Sequence, residues 1–241
     1  MTEPTLLAFD TATETLAVAL CIAGRVQARQ ERGGALASLR LLPLAKELLD
    51  EAGLGLQRLD AVAFGRGPGA FTGLRTACAA AQGLALGLGI PVLALDSLLI
   101  VAEDAAAAPP WGWAPGAPLW VAMDARMDEV YAGCWLRAGG LWQCQVAPAL
   151  YGVPALAAHW QRDPPEAVAG TALAAFGDRL GLVDAAGLVA ERDRAGALGR
   201  LALAAWHGGQ DRLDAAQALP LYLRDKVALT TAERAALAAG R

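Results

Sequence analysis

Histidine, serine and lysine are scarce in this 241-residue chain, and each shortage closes off a class of chemistry. Its two histidines, His159 and His207, form no H-E-x-x-H or H-x-x-x-H pattern, which removes a histidine-rich metal site. The two serines, Ser38 and Ser97, fall outside any G-x-S-x-G, so a serine-triad hydrolase is excluded. Four cysteines (Cys21, Cys78, Cys134, Cys144) make no C-x-x-C pair and all have apolar neighbours; buried, reduced thiols are expected. Charged residues reach only 18%, with 20 cations against 24 acids and a formal charge of −4. A stand-alone nucleic-acid binder needs a basic face that this balance does not supply. Eighteen of the 20 cations are arginine, which reads as genome composition.

No secretory leader is read in Met1–Pro4, which runs straight into a strand-like segment, and a cytoplasmic protein is expected. Thr76–Leu95 is uncharged and long enough to span a bilayer. Its Gln82, Gly83, Gly87, Gly89 and Pro91 instead punctuate it as a helix, a turn and a buried strand, so no membrane association is expected.

What the chain has in abundance is apolar residues, 56% of the total, enough to bury a large core. Strands are expected at Thr5–Phe9, Thr15–Ile22 and Arg25–Gln30, an antiparallel meander. A helix follows over Leu36–Ala52, a strand over Asp60–Phe64, a glycine-rich turn over Gly65–Gly69 and a helix over Phe71–Leu88. Pro91–Leu95 reads as a strand, with Asp96 capping a helix to about Ala107. Ala105–Pro118, with four prolines, is the linker candidate, which divides the chain into residues 1–108 and 109–241. After it the opening recurs. Leu6–Asp10 overlays Trp120–Asp124 at an offset of 114, and Thr15–Val18 overlays Glu129–Ala132. Two related halves follow from this repeat. Further on, helices are expected at Pro154–Gln161 and Ala195–His207, and strands near Ala167–Ala169 and Leu219–Leu223.

Two segments carry chemistry. Gly65, Gly67, Pro68, Gly69 and Gly73 sit between a strand and a helix, where backbone N–H groups could hold an anion. The segment lacks G-K-[ST] and has Ala70 where a dinucleotide fingerprint needs glycine, so a tight structural turn is the stronger reading. Asp10, Thr11 and Thr13 close the first hairpin, as either a phosphate or hydrated-magnesium site or a side-chain-stabilised turn.

The helices suggest a partner. Leu41, Leu42, Leu44, Ala45, Leu48 and Leu49 spread over roughly 160° of a helical wheel, with Leu36 and Leu39 further round, against the roughly 100° stripe one core needs. The second helix is nearly apolar all round. Either a partner or the second half of the chain must cover the excess.

The runs Leu7–Glu14, Gly65–Arg75, Ala122–Tyr131 and Pro220-Leu221-Tyr222-Leu223-Arg224 together resemble the bacterial TsaB (YeaZ) family across almost the whole chain. That resemblance implies an α/β, two-lobed actin-like ATPase fold (ribonuclease-H-like), with mixed sheets flanked by helices. It further implies a dimerising subunit acting with TsaD, TsaE and the adenylate made by TsaC in threonylcarbamoylation of the tRNA adenosine beside the anticodon. Family members pair with TsaD through the first-lobe helices. On this chain the implied interface is Leu39, Leu42, Lys46, Leu49, Phe71, Leu74, Arg75, Cys78, Ala81 and Leu84. Many members carry a His where this chain has Ala37-Ser38.

The residues agree with a non-catalytic subunit: the TsaD metal pair H-x-x-x-H is missing. The nearest counterpart of a second phosphate loop, Ala169-Gly170-Thr171-Ala172, has no carboxylate. Asp10, Thr11 and Thr13 then read as a relic. No catalytic residue, metal or intrinsic cofactor is expected; ATP or ADP would belong to the interface of the assembled complex. The free chain would self-pair through the same helices, and tRNA would be met only through the complex, with Arg224, Lys226 and Arg234 as candidate contacts. The competing reading is an actin-like ATP hydrolase or small-molecule kinase with Asp10 as metal carboxylate.

Overall fold

The computed structural model describes residues 3–108, 111–182, 185–188 and 191–224. The chain opens with three strands, β1 (Leu6–Asp10), β2 (Thr15–Ile22) and β3 (Arg25–Arg32). Helix α1 (Ala37–Glu51), strand β4 (Ala61–Gly67), helix α2 (Phe71–Leu88), strand β5 (Val92–Asp96) and helix α3 (Ser97–Ala107) follow. The second half has β6 (Leu119–Arg126), β7 (Glu129–Ala138), β8 (Leu141–Gly152), α4 (Val153–Arg162), β9 (Ala167–Ala169), α5 (Ala172–Phe176), β10 (Ala186–Leu188) and α6 (Arg194–His207). Most elements of the first half begin and end within two residues of their expected bounds. There the apolar runs are long and turn residues such as Gly24, Gly53 and Gly89, all with positive φ, mark the ends.

The strands form two five-stranded mixed sheets of the same topology, β3-β2-β1-β4-β5 and β8-β7-β6-β9-β10. In each the first three strands are antiparallel and the last two run parallel to the central one. This is the duplicated lobe of the actin-like ATPase fold. The repeat is real, but its second strand is displaced by one residue. Ala8 faces Ala19 across the first hairpin, whereas its counterpart Ala122 faces Ala132. The offset of 114 holds for β1 and β6 and becomes 113 for β2 and β7, because the β6 side of the second hairpin is bulged between Asp124 and Arg126.

The inner strands of each sheet are buried on both faces. Leu7, Phe9, Val18 and Leu20 pack against α1 and α2, whose inward residues include Leu41, Leu44, Leu48, Ala77 and Ala81. Leu6, Ala8, Ala17, Ala19 and Ala63 face α6 instead. Those alanines let α6 lie close: a Cβ on Gly199 would come 2.4 Å from Val26 Cγ1. In the second sheet, Leu119, Val121 and Met123 pack with α3, while Trp120, Val130 and Val168 pack with Leu156 and Trp160 of α4.

The division at residue 108 is therefore not a division of the folded body. Helix α6, from the second half, covers the first sheet, and α3, from the first half, covers the second. Glu103 on α3 fixes the exchange by accepting from Trp142 Nε1 at 2.8 Å and Arg200 Nε at 2.8 Å. The linker candidate is part helix, since α3 continues to Ala107, and Pro109 and Pro110 lie outside the described residues.

Two further expectations are corrected. Leu219–Leu223 joins no ladder; Pro220 has no N–H to give, and the backbone bond there is Leu221 N to Arg66 O at 2.7 Å. The 12-residue β8 was not read from the sequence: Trp142, Cys144 and Val146 alternate with Gln143 and Gln145, but Pro148 and the apolar residues around it interrupt that period, and the strand lies half-exposed. Of the cysteines, Cys21, Cys78 and Cys134 are buried and Cys144 is exposed; all four are free thiols.

Candidate functional site

The two hairpins β1–β2 and β6–β7, the start of α2 and the segment after α6 enclose a cleft of about 620 Å3 between the lobes. Its first wall is assembled from the two motifs legible in the sequence. Asp10 ends β1 with no exposure to solvent. Its Oδ1 accepts from Ala12 N at 3.1 Å and its Oδ2 from Ser97 Oγ at 2.7 Å, while Ser97 Oγ in turn accepts from Gly67 N at 3.0 Å. The glycine-rich turn lies directly on this hairpin. A Cβ on Gly65 would fall 1.7 Å from Asp10 Oδ2, one on Gly73 1.8 Å from Thr11 O, and one on Gly69 2.4 Å from Ala12 O. The turn's bond from Ala70 N goes to Ala12 O at 2.8 Å, and Thr11 Oγ1 donates to Gly73 O at 2.6 Å. Close packing accounts for glycine at Gly65, Gly69 and Gly73. Gly67 has φ +114, and the Gly67–Pro68 peptide is cis. Thr13 Oγ1 accepts from Thr15 N at 3.1 Å, which makes it a turn-stabilising hydroxyl.

The cation at Asp10 is one that no sequence pattern announced. Arg194, at the first position of α6, donates from Nε and Nη2 to Asp10 Oδ1 at 3.0 and 2.9 Å, and from Nη1 to Glu191 Oε2 at 2.7 Å. It is 1% exposed. Burial works against its charge, but the two carboxylates outweigh that and hold the guanidinium above its ordinary range. Backbone bonds from Arg192 N and Asp193 N to the buried Asp104 set the segment that delivers it.

The second wall is the repeat of the first. The hairpin standing where β1–β2 stands is β6–β7, so the counterpart of the first phosphate hairpin is Asp124–Glu129 rather than Ala169–Ala172, and it does retain a carboxylate. Asp124 Oδ1 accepts from Arg126 N at 2.7 Å, and Asp124 N donates to Thr171 Oγ1 at 3.1 Å. Gly170, at φ +125, lets the end of β9 approach; a Cβ there would meet Ala122 O at 2.3 Å. Arg126, Met127 and Asp128 all have positive φ without being glycine.

Residues 218–224 run as a strap from lobe to lobe. Ala218 O accepts from Cys78 Sγ and Gln82 Nε2 of α2 at 3.1 and 2.9 Å. The Tyr222 ring lies 5.2 Å from that of Phe71, over which Arg75 stands at 4.1 Å. At the far end Arg224 Nη2 donates to Ala125 O at 2.9 Å, and Arg224 pairs with Glu129. Arg224 is thus committed within the chain rather than offered to a polyanion, while Lys226 and Arg234 lie outside the described residues.

The expected interface residues divide. Leu39 and Leu42 of α1 are 70% and 50% exposed, and Leu36 and Leu86 also stand out. Lys46 projects beside Asp50, and Leu84 is half-buried. Leu49, Leu74, Cys78 and Ala81, expected on that outward face, are instead buried. Leu49, Cys78 and Ala81 belong to the core between the helices and the first sheet, since they lie on the helix faces that cover its apolar residues. Phe71 and Arg75 are engaged with the strap. Among the described residues no group of three or more His, Cys, Asp or Glu is placed to hold a metal ion, and no helix is long and apolar enough to cross a membrane.

Residues 35–159, more than half of the chain, match the family described as tRNA N6-adenosine threonylcarbamoyltransferase (TsaD). The chain is 42% identical over 131 residues to the tRNA threonylcarbamoyladenosine biosynthesis protein TsaB of Haemophilus influenzae, and 39% identical over 138 residues to that of Escherichia coli. These alignments cover 54% and 57% of this chain, so it spans a little over half the length, 53% and 58%, of the curated relatives it matches. Among solved structures, YeaZ from Pseudomonas aeruginosa is similar at a TM-score of 0.79 and 41% identity, with 91% of this chain and 100% of that one covered. The motifs that carried the resemblance all lie on the two hairpins, the turn packed against them and the strap that joins the lobes, and on this fold and these matches the chain belongs to the TsaB (YeaZ) family, within the wider family described by TsaD.

Proposed function

We propose that the chain is a non-catalytic scaffold in tRNA threonylcarbamoyladenosine biosynthesis, a subunit that pairs with a TsaD homologue. In this reading TsaD transfers the threonylcarbamoyl group from the adenylate made by TsaC, TsaE joins the assembly, and tRNA reaches this subunit only through the complex. The chain brings no cofactor of its own, and ATP or ADP is held by the assembled complex. The compartment is the cytoplasm.

The observation that carries this reading is the row of Leu36, just before α1, with Leu39 and Leu42 on it, three large apolar side chains that are each half or more exposed. Their neighbours Leu41, Leu44 and Leu48 already fill the core, so folding of this chain does not need them. A partner helix with a matching apolar stripe would bury them, and free copies would pair through the same face. Arg194 supports the non-catalytic half of the reading. A carboxylate sealed from solvent, with a buried guanidinium on Oδ1 and a hydroxyl on Oδ2, is poorly placed to take a metal from solution. The same pairing speaks against the hydrolase or kinase reading.

The test is to mix the purified chain with its cognate TsaD homologue and measure mass by light scattering after size exclusion, with and without ATP. A stable heterodimer is the expected result. No association under either condition would refute the scaffold reading, and magnesium-dependent ATP turnover by the chain alone, lost in Asp10→Asn, would replace it with the hydrolase.

A further inference from the structure

The strap is fastened differently at its two ends. Near α2 it is held through its backbone: Ala218 O accepts from Cys78 and Gln82, and Leu221 N donates to Arg66 O at 2.7 Å. Among the described residues no backbone bond joins residues 222–224 to the second hairpin. There one side chain makes the polar contacts. Arg224 Nη2 donates to Ala125 O at 2.9 Å and to Arg126 O at 3.3 Å, and Arg224 pairs with Glu129. Leu223 adds apolar packing in the cluster that holds Met123. Leu221, Tyr222, Leu223 and Arg224 all line the cleft.

This clasp carries two costs of its own. Arg126, Met127 and Asp128 have φ of +64, +58 and +58, a run that non-glycine residues keep only where their surroundings impose it. Arg224 grips the carbonyls at the start of that run, whereas the other brace, Arg179 on Asp128, is an ion pair half or more exposed on both sides. Arg224 Nε is also buried with no partner among the described residues, a donor that water would satisfy. Opening the clasp returns both costs, so this end of the strap is held less firmly than its contacts alone imply.

We propose that residues 222–224 are a gate on the cleft: Arg224 unclasps from the second hairpin, the strap turns about Leu221, and Arg126–Asp128 leave the left-handed region as it goes. The lobes themselves stay in place, because the exchanged helices and the Asp10–Arg194 pair hold them independently of the strap. Only one wall of the cleft moves. It uncovers Met123, which is 7% exposed and shares its apolar cluster with Leu223. The gate does not involve the α1 face, and a chain that paired with no partner would still open and close it.

The test pairs amide hydrogen exchange of the full chain with peroxide oxidation of Met123, read by mass spectrometry. Two amides report on the turn: Arg126 N, bonded to Asp124 Oδ1 at 2.7 Å, and Val153 N, bonded to Asp128 O at 3.0 Å. Arg224→Gln is expected to speed exchange at both about tenfold, the usual worth of a hydrogen bond from a charged group, and to speed Met123 oxidation in proportion. The Leu221 amide and those of β1 should keep their rates. Met127→Gly, a change at an exposed side chain, gives the turn a residue that takes positive φ freely. It should slow both readings about fivefold by favouring the closed clasp. Unchanged rates in Arg224→Gln, or faster ones in Met127→Gly, would overturn the proposal. So would a loss of protection at Leu221 or across β1, since Arg224 would then be an ordinary part of the packed fold and not the clasp of a local gate.

Discussion

Two nitrogens of the Arg194 guanidinium converge on one oxygen of Asp10 across 184 residues of sequence, with both side chains sealed from solvent. The pair joins the end of β1, in the first half of the chain, to the start of α6, near its end. It fixes the helix exchange between the halves at the position where the hairpin could otherwise have held a cation from solution.

Breaking this pair from one side leaves an uncompensated buried charge. Arg194→Met should cost about 3–5 kcal/mol of stability in urea denaturation. Asp10→Asn combined with Arg194→Met should recover part of that loss, since neither charge then remains. Millimolar guanidinium should raise the melting temperature of Arg194→Ala more than that of the unaltered chain. A single variant as stable as the parent would show that the pair contributes nothing.

Asp96 gives the chain a pH dependence of known sign. Burial pushes its carboxyl up to about 6, against the opposing pull of Arg66 and of the Leu98 backbone N–H, and its Oδ1 has no partner among the described residues. A carboxyl raised in the folded state binds more protons folded than unfolded, so its effect on stability is most favourable below pH 3.8 and declines as pH rises to about 6. At neutral pH the buried charge is a standing cost. Asp96→Asn keeps a competent N-cap residue for α3 and should gain about 1–3 kcal/mol at pH 7, with the gain gone near pH 4. A gain that persisted unchanged into acid would contradict this account.

Partner binding and folding should separate cleanly on α1 and α2. Leu42→Glu, at a half-exposed position, should move stability by no more than about 0.5 kcal/mol and abolish association with the TsaD homologue. Ala81→Arg looks equivalent on a helical wheel, yet Ala81 is fully buried against the first sheet. It should therefore unfold the chain rather than report on a surface. Circular dichroism of both variants beside the mixing experiment tells the two apart.

Thiol reactivity should follow burial rather than count. In the native chain Cys144 should react with a disulfide reagent well before Cys21, Cys78 and Cys134, whose thiols burial holds above their ordinary range. Denaturant should release the other three. Four thiols reacting together in native buffer would mean that the sheets open far more readily than their packing implies.

Some of this protein is written in the chain itself. The continuous apolar runs of β1 and β2, the α2 pattern closed by Gly89, and the glycines packed on Asp10 follow from local rules, because steric and solvation demands there involve residues close in sequence or apolar faces that must be covered. The internal repeat was legible for the same reason, as far as the one-residue slip that a bulge introduces. What the sequence could not show is which distant groups would meet. Nothing near Arg194 marks it as the cation for Asp10, because long-range pairing of one charge among 20 leaves no local pattern. The same holds for α6 returning to the first sheet, for Leu49 and Ala81 turning inward while Leu42 turns out, and for the strap that commits Arg224 to the second hairpin. Helical spacing says which residues share a face; only the packed fold decides which face is already covered.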